Sequence, residues 1–154
     1  VAVTPIPSAI AFDAVLPLAP ANHVFVATAA VADWRVAKAA AHKIKKKSGA
    51  AVPSLELEEN PDILSWVAAR RNGPFCVGFA AESEKVAAHA REKRLKKGVP
   101  LIAANLVQEA LGADDNAITL FDAHGRHPLG RGPKIELARK LVAHVAGMVA
   151  KKKR

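Results

Sequence analysis

The sequence contains one cysteine, Cys76, no tyrosine and only 5% aromatic residues among its 154 positions. A single cysteine excludes an intramolecular disulfide, and its place in an apolar run favours a buried structural side chain over a reactive thiol. Few aromatic rings leave few platforms on which single-stranded nucleic acid bases could stack. The low cysteine content is typical of a reducing compartment, so we expect a cytoplasmic location.

Long hydrophobic runs and two common phosphate-binding motifs are also missing. No apolar stretch approaches the roughly 20 residues that cross a bilayer, and the first residues lack the charge pattern of a signal peptide, so we expect no membrane partner. Neither G-x-x-x-x-G-K-[ST] nor G-x-G-x-x-G occurs, and the glycines of Gly130 to Pro133 fit neither spacing. A P-loop NTPase and a standard dinucleotide-binding enzyme are therefore disfavoured.

The chain is rich in basic and apolar residues. It has 23 Lys+Arg against 14 Asp+Glu, a formal net charge of +9, and 51% hydrophobic residues. That composition predicts a folded domain with an affinity for polyanions: a triphosphate, a nucleic acid or an acidic membrane. Charge alone does not choose among these partners.

Apolar runs and helical patterns alternate along the chain. Runs at His23 to Ala30, Phe75 to Ala81 and Leu101 to Ala104 predict buried parallel strands. Alternating patterns predict further strands at Ser54 to Glu58, Ala117 to Phe121 and Val1 to Thr4. Helices are predicted at Pro7 to Leu16, Asp62 to Arg71, Glu84 to Lys97 and Lys134 to Ala150, with Asn60 as an N-cap, Pro61 at a first helical position and Gly98 as a stop.

This alternation predicts a three-layer α/β domain with a mostly parallel sheet. Ligands of such sheets bind beyond the carboxyl ends of the strands, which directs attention to Ala30 to Arg35, Glu82 to Lys85 and Asn105 to Gln108. In the first of these, Asp33 could accept hydrogen bonds from an amino or hydroxyl group. A capping aspartate in a loop explains the same residue.

Three other features could meet an anion. The run Lys43 to Gly49 could close over phosphates as a flap, although consecutive lysines are usually a solvated surface. The helix start at Asn60 to Leu64 could bind an anion or a base edge, or be capped in the ordinary way. Lys93 and Lys97 are four residues apart and share a helix face, where they could bind a triphosphate or serve solvation.

His124 and His127 have the spacing of metal ligands. Gly125, Arg126 and Pro128 beside them favour a hairpin turn instead. We therefore predict no metal ligands in the chain.

Five segments, in matching order and spacing, resemble phosphopantothenate-cysteine ligase over essentially the whole chain. These segments are Ala29 to Arg35, the lysine run from Lys43, Asn60 to Ile63, Val77 to Glu82 and Ala113 to Ala117. The resemblance implies a Rossmann-like three-layer fold and a homodimer. In bacteria this family is usually the second half of a bifunctional protein of coenzyme A synthesis, so FMN would be present only if a decarboxylase half precedes this chain.

The implied reaction joins 4'-phosphopantothenate to L-cysteine, with CTP in most bacteria. The substrate carboxylate attacks the α-phosphate, pyrophosphate leaves, and the cysteine amine then displaces the nucleotide from the acyl-cytidylate. Mg²⁺ normally accompanies the triphosphate. The sequence itself does not decide between CTP and ATP.

The resemblance also implies roles for individual residues. Ala27, Thr28, Ala29 and Asp33 would surround the base and ribose, and Pro61, Asp62, Ile63, Leu64 and Phe79 would complete the nucleotide pocket. Lys43, Lys93 and Lys97 would meet phosphates. Lys43 is the predicted catalytic residue, since a flap lysine can arrive after the substrates and exclude water.

Some positions depart from the family pattern. Ala104-Asn105-Leu106 stands where Ala-Asn-Asp is usual, and Pro133 replaces a serine. The glycine-rich segment that opens the family domain has no counterpart before Val1, so we expect residues 1–150 to be a partial domain followed by a basic tail, 151–154. The alternatives are a non-catalytic nucleotide-binding or dimerisation fragment and a basic module that binds nucleic acid without reading sequence; we favour no specific nucleic acid partner.

Overall fold

The computed structural model describes residues 24–29, 31–38, 42, 45, 54–110 and 112–152. The strand predicted at Val1 to Thr4, the helix predicted at Pro7 to Leu16 and Lys43 lie outside these residues. The described chain forms seven strands and four helices in this order: β1 (Val24–Ala27), β2 (Trp34–Val36), β3 (Leu57–Glu59), α1 (Ile63–Ala68), β4 (Phe75–Glu82), α2 (Val86–Lys97), β5 (Leu101–Leu106), α3 (Val107–Ala110), β6 (Asp115–Asp122), β7 (Gly125–Pro133) and α4 (Lys134–Lys152).

Five strands form the main sheet, in the order β1-β4-β5-β6-β7. β1, β4 and β5 are parallel, whereas β6 runs antiparallel to β5 and β7 antiparallel to β6. We call β1, β4, β5, α1 and α2 the parallel half, and β6, β7 and α4 the antiparallel half. The predicted α/β fold with a mostly parallel sheet is confirmed; of its five strands only β6 runs in the opposite sense, since β7, antiparallel to β6, has the same direction as β5.

The sheet separates two apolar cores, which gives the three predicted layers. On one face, Cys76 and Ile102 pack with the buried side of α1 and α2. On the other face, Val77 and Leu101 pack with Leu137 of α4. Neighbouring residues of one strand face opposite cores because side chains alternate along a strand. The apolar runs of β4 and β5 are continuous because both of their faces are buried.

A small antiparallel ribbon, β2 paired with β3, stands apart from the main sheet. Trp34 pairs with Glu59 and Val36 with Leu57, and Trp34 and Leu57 are both more than half exposed. Of the two strands of the ribbon, β3 overlaps the strand predicted at Ser54 to Glu58, whereas β2 was not predicted. The ribbon leads from the loop after β1 to the start of α1, so it positions both.

Helix boundaries follow local capping chemistry, with one correction. Asn60 and Pro61 were predicted to begin a helix, but the N-cap of α1 is Asp62, whose side chain accepts a hydrogen bond from the amide of Ser65. Asparagine and aspartate are comparable N-caps, but the Asn60 side chain donates to a backbone carbonyl of the loop after β1, whereas the Asp62 carboxylate satisfies an amide that lacks a helical partner. The predicted stop at Gly98 is confirmed: this residue is the C-cap of α2, with φ of 63°.

The predicted hairpin turn near His124 is confirmed, since Asp122 pairs with Gly125 at the end of the β6–β7 ladder. The ladder has a register shift between Ile118 and Thr119, near Gly130 with its φ of 83°.

None of the helices in the described part of the chain is both long and apolar enough to span a bilayer.

Candidate functional site

The loop after β1 meets the start of α1 beyond the carboxyl end of the parallel strands. We call this region the carboxyl-edge site and define it by Ala27 to Ala29, Ala32 to Asp33, Asn60 to Leu64 and Lys97. Parallel strands end at the same edge of a sheet, and the connections that follow them are the usual place for a ligand.

Asn60 holds the site together. Its backbone amide donates to the carbonyl of Asp33 over 2.8 Å, and its side-chain Nδ2 donates to the carbonyl of Ala32, also over 2.8 Å. Two hydrogen bonds from one residue therefore fasten the loop after β1 to the residues that precede α1. The sequence indicated Asn60 as a helix cap; its observed role is to clamp two segments that are distant in the chain.

Arg35 extends this clamp into the ribbon. Its Nη1 donates to Oδ1 of Asn60 over 3.0 Å, and its Nε donates to Glu58 over 2.7 Å. The arginine thus orients the Asn60 amide group so that Nδ2 points at Ala32. The ion pair with Glu58 is nearly half exposed on both sides, so its value lies in orientation more than in stability.

Asp62 connects α1 to α2. Besides capping α1, its carboxylate accepts from the Ser65 hydroxyl over 2.6 Å and from the Lys97 ammonium over 2.5 Å. Burial opposes ionisation of this carboxyl group, but the hydrogen bonds from Lys97 and Ser65 outweigh burial, so the pKa of Asp62 is lowered. Two of the predicted nucleotide-binding residues, Asp62 and Lys97, are therefore in direct contact.

The apolar base of the site depends on a glycine. Leu64 of α1 packs on β4 at Gly78, where an added Cβ would lie 2.7 Å from Cδ2 of Leu64 and 2.7 Å from Cδ1 of Ile102. Ala27 is the register partner of Gly78 on β1, and it packs against the same core. Small residues at these adjacent positions let α1 approach the sheet closely.

The remaining predicted site residues differ in exposure and position. Thr28, Ala29, Asp33 and Pro61 are exposed around the site, so their polar atoms are accessible, and Ile63 is buried beneath it. Lys93 is half-buried one helical turn before Lys97 on α2. Phe79, in contrast, packs against the core on the α4 face, so its ring is not brought together with Ile63 and Leu64. Lys43 lies outside the described residues.

The ends of the other two parallel strands carry polar contacts that the sequence did not foresee. Glu82, at the end of β4, is 3.1 Å from Nδ1 of His89 on α2. Gln108, which follows β5, donates to the carbonyl of Ser83 over 3.2 Å. Gln108 lies in one of the segments indicated by the strand-end rule. Its partner could not be inferred because the contact joins α3 to the segment after β4, two regions that are distant in the chain.

A separate basic cavity of about 420 Å³ lies near the opposite, amino ends of β4 and β5. Residues at the start of both strands line it, together with cationic side chains from α1's trailing loop and α2; these cationic residues are Arg70, Arg71 and Arg94. Its lining includes Gly98, the neighbour of Lys97, so the cavity adjoins the end of α2 that carries Lys97. The cations there are not those that the sequence predicted to meet a nucleotide.

The geometry defines a class of protein: a three-layer α/β domain with an open polar site at the carboxyl edge of its parallel strands. Its sequence matches the family profile described as the DNA/pantothenate metabolism flavoprotein C-terminal domain over residues 1–148. The chain therefore belongs to that family.

Curated relatives are similar to most of this chain. The coenzyme A biosynthesis bifunctional protein CoaBC of Vibrio cholerae is 42% identical over 130 residues, which cover 82% of this chain and 33% of the relative. The protein of the same name from Bacillus subtilis is 34% identical over 141 residues, covering 88% of this chain and 34% of the relative. The chain thus spans about a third of the length of these relatives.

Solved structures agree with the fold. A crystal structure of the C-terminal domain of the bifunctional protein CoaBC superposes with a TM-score of 0.70 at 27% identity and covers 91% of this chain and 61% of that one. The DNA/pantothenate metabolism flavoprotein from Streptococcus pneumoniae gives a TM-score of 0.63 at 20% identity, with 82% of this chain and 63% of that chain covered. The second likeness concerns the fold alone.

Proposed function

We propose that this chain contributes the nucleotide-binding part of a ligase of coenzyme A biosynthesis that joins 4'-phosphopantothenate to L-cysteine at the expense of CTP. The observation that carries the proposal is the Asn60 clamp, which unites the loop after β1 with the start of α1 at the carboxyl edge of the sheet. The names of the curated relatives support the pathway. Such an enzyme would act in the cytoplasm as a homodimer.

In this proposal the site divides into a base-binding part and a phosphate-binding part. The exposed residues Thr28, Ala29 and Asp33 would face the base and ribose, where an aspartate can accept from an amino or hydroxyl group. Lys93 and Lys97 would face the phosphates together with Mg²⁺. Transfer of a nucleotidyl group depends mainly on positioning and on neutralising charge, so adaptable ammonium groups suit the second part.

The ion pair between Lys97 and Asp62 sets a condition on phosphate binding. A triphosphate must either draw the ammonium group away from Asp62 or share it with that carboxylate. The pair is partly exposed, with side-chain exposures of 21% for Lys97 and 40% for Asp62, so exchange to another anion requires little desolvation. We infer that Asp62 holds Lys97 in place before the nucleotide arrives.

A binding experiment tests the phosphate-binding part. The chain is titrated calorimetrically with CTP and Mg²⁺, alongside the Lys93→Ala, Lys97→Ala and Lys96→Ala variants. Lys96 is the matched control because it is an exposed lysine in the last turn of the same helix. We expect Lys93→Ala and Lys97→Ala each to weaken binding at least fivefold, and Lys96→Ala to change it less than twofold. Equal losses of CTP affinity in all three variants would mean that only the total positive charge matters, which would contradict the roles assigned to Lys93 and Lys97.

The catalytic role that we propose for Lys43 needs a different readout. Lys43→Gln should sharply lower turnover of 4'-phosphopantothenate and cysteine while leaving thermal unfolding unchanged. The neighbouring Lys45→Gln is the control for loss of one charge from the same run. Turnover that is unchanged in Lys43→Gln, or lowered equally in Lys45→Gln, would contradict a specific role.

A further inference from the structure

Three potential metal ligands meet in the antiparallel half, away from the carboxyl-edge site. Asp122 ends β6, His127 lies on β7 and His144 lies on α4. One ligand atom from each lies within 4.8 Å of the others. Of the two histidines whose spacing resembled a metal motif, only His127 belongs to this group, and its partner histidine comes from the last helix.

The two imidazoles are left without hydrogen bonds at the atoms that face the group. Nε2 of His127 and Nε2 of His144 are both buried, and neither has a hydrogen-bonding partner. The two rings are 5.0 Å apart between centroids and are tilted by 46°. Buried polar atoms are almost always satisfied, so two unsatisfied nitrogens beside each other call for a ligand that both can bind.

Asp122 supplies the negative charge. Its side chain is only 5% exposed, and its Oδ1 lies 3.1 Å from Nε2 of His127. The same oxygen accepts from the amides of His124 and Gly125 over 2.7 and 3.0 Å, which fixes the carboxylate at the turn of the hairpin. Although the His127 nitrogen is close, the direction of approach does not make a satisfactory hydrogen bond.

A proton could bridge Asp122 and His127, but it would leave Nε2 of His144 unsatisfied. A metal ion can use all three groups at once. Tetrahedral zinc, with ligands at about 2.0–2.1 Å, places its ligand atoms about 3.3 Å apart. The 3.1 Å separation between Asp122 and His127 already matches that value. The separations in the group reach at most 4.8 Å, so the widest has to shorten by no more than about 1.5 Å, which rotation of the side chains can supply.

The site is also held in place independently of any ion. Lys140, one turn before His144 on α4, donates to the carbonyl of Leu129 on β7 over 3.1 Å. Leu137 and Leu141 of α4 pack in the core beneath the hairpin, together with Ile118 and Leu120 of β6. The helix and the hairpin are therefore already apposed, and a ligand would join a preformed arrangement.

We propose that Asp122, His127 and His144 form a binding site for a divalent transition-metal ion of the zinc type, which fastens the β6–β7 hairpin to α4. Two imidazole nitrogens and one carboxylate suit zinc and its neighbours, whereas Mg²⁺ and Ca²⁺ prefer oxygen ligands. The fourth position would be taken by water. This site is independent of the nucleotide and of the Mg²⁺ that accompanies it.

The test uses the tag-free 154-residue chain, first treated with a chelator and then titrated with Zn²⁺ in competition with a coloured chelator. The variants are His144→Ala and His127→Gln. His124→Ala is the control because this exposed histidine lies in the same turn but outside the group. We expect one Zn²⁺ per chain, a loss of affinity of at least tenfold in both variants, no change in the control, and no competition by Mg²⁺.

A second measurement separates metal binding from damage to the fold. Without metal, thermal unfolding of His127→Gln should match that of the unsubstituted chain; with Zn²⁺, only the unsubstituted chain and His124→Ala should gain stability. The visible absorption of Co²⁺ placed in the site should show tetrahedral coordination. Absence of stoichiometric Zn²⁺ binding in the unsubstituted chain, or binding to His144→Ala and His127→Gln as tight as to the unsubstituted chain, would overturn the proposal.

Discussion

The parallel and antiparallel halves share one sheet but are built differently. In the parallel half, β4 and β5 are mostly buried on both faces, and their side chains are apolar except for Glu82 and Asn105 near the strand ends. In the antiparallel half, β7 is an exposed edge strand that contains three glycines and two prolines in nine residues. The first half supplies a rigid edge on which a polar site can be assembled. In the second half, β7 owes its order to its partners β6 and α4.

Phe121 links the two halves and should give the largest effect on stability. It lies on β6, is 2% exposed, and packs in the core formed by α1 and α2. We expect Phe121→Ala to lower the free energy of unfolding by about 3–5 kcal/mol, because a large ring is removed from a filled core. Urea unfolding measures the change. Arg126→Ala, on the exposed register partner of Phe121, should change it by less than about 0.5 kcal/mol. A small effect at Phe121 would mean that the halves have separate cores.

Gly78 and Gly147 allow the effect of adding a side chain to a glycine to be compared in the two halves. Gly78→Val should destabilise the protein by about 1–3 kcal/mol, since the added atoms collide with Leu64 and Ile102. Gly147→Ala in α4 should instead stabilise it by about 0.5–1 kcal/mol, because nothing lies within 4 Å and alanine is the better helix former. Chemical denaturation distinguishes the two signs. A tolerated Gly78→Val would show that α1 does not need to approach the sheet so closely.

Asn60→Ala tests whether the clamp in the parallel half shapes the nucleotide site. It removes the hydrogen bonds to Ala32 and Arg35 but retains the backbone bond to Asp33. We expect CTP affinity to fall about tenfold, the equivalent of roughly 1.4 kcal/mol, with little change in thermal stability. Lys140→Gln removes a comparable link in the antiparallel half and should leave CTP affinity within twofold. Equal effects of the two variants would contradict the assignment of the site to one half.

The smallest effect concerns Asp62 and pH. Its pKa is lower in the folded than in the unfolded chain, so its ionised form stabilises the fold fully above the unfolded pKa, and this contribution is lost as the pH falls through the folded pKa. Since the pair with Lys97 is partly exposed, Asp62→Asn should cost only about 0.2–1 kcal/mol at pH 7. The difference should shrink below about pH 4. Urea unfolding at pH 7 and below about pH 4 measures the difference in stability between the variant and the unsubstituted chain. A difference that grows in acid would contradict the lowered pKa of Asp62.

Features set by local sequence could be predicted, whereas those set by partners could not. β4 and β5 followed from their apolar runs, and Gly98 from the need for a left-handed residue at a helix end. β7 was not predicted, because its glycines and prolines have low strand propensity and its pairing with β6 supplies the order. β2 was not predicted either, because its three residues are too few to form a recognisable pattern, and its pairing with β3 supplies the order.

The candidate site shows the same division. The strand-end rule indicated the loop after β1, and the resemblance indicated Pro61 to Leu64, but neither revealed that Asn60 joins them. Likewise, local spacing paired His127 with His124, while the fold pairs it with His144 from another element. Contacts between residues distant in the chain depend on how the elements pack. A single sequence does not record that packing.

Amide NMR spectra recorded during a CTP titration with Mg²⁺ test whether CTP binds in the parallel half. We expect saturable shifts at Thr28, Ala29, Asp33 and the residues from Asn60 to Leu64, with weaker shifts along α2 at Lys93 and Lys97. Amides of β7 and α4 should remain where they are. Shifts centred on β7 and α4, or no saturable shift at any residue, would contradict binding in the parallel half.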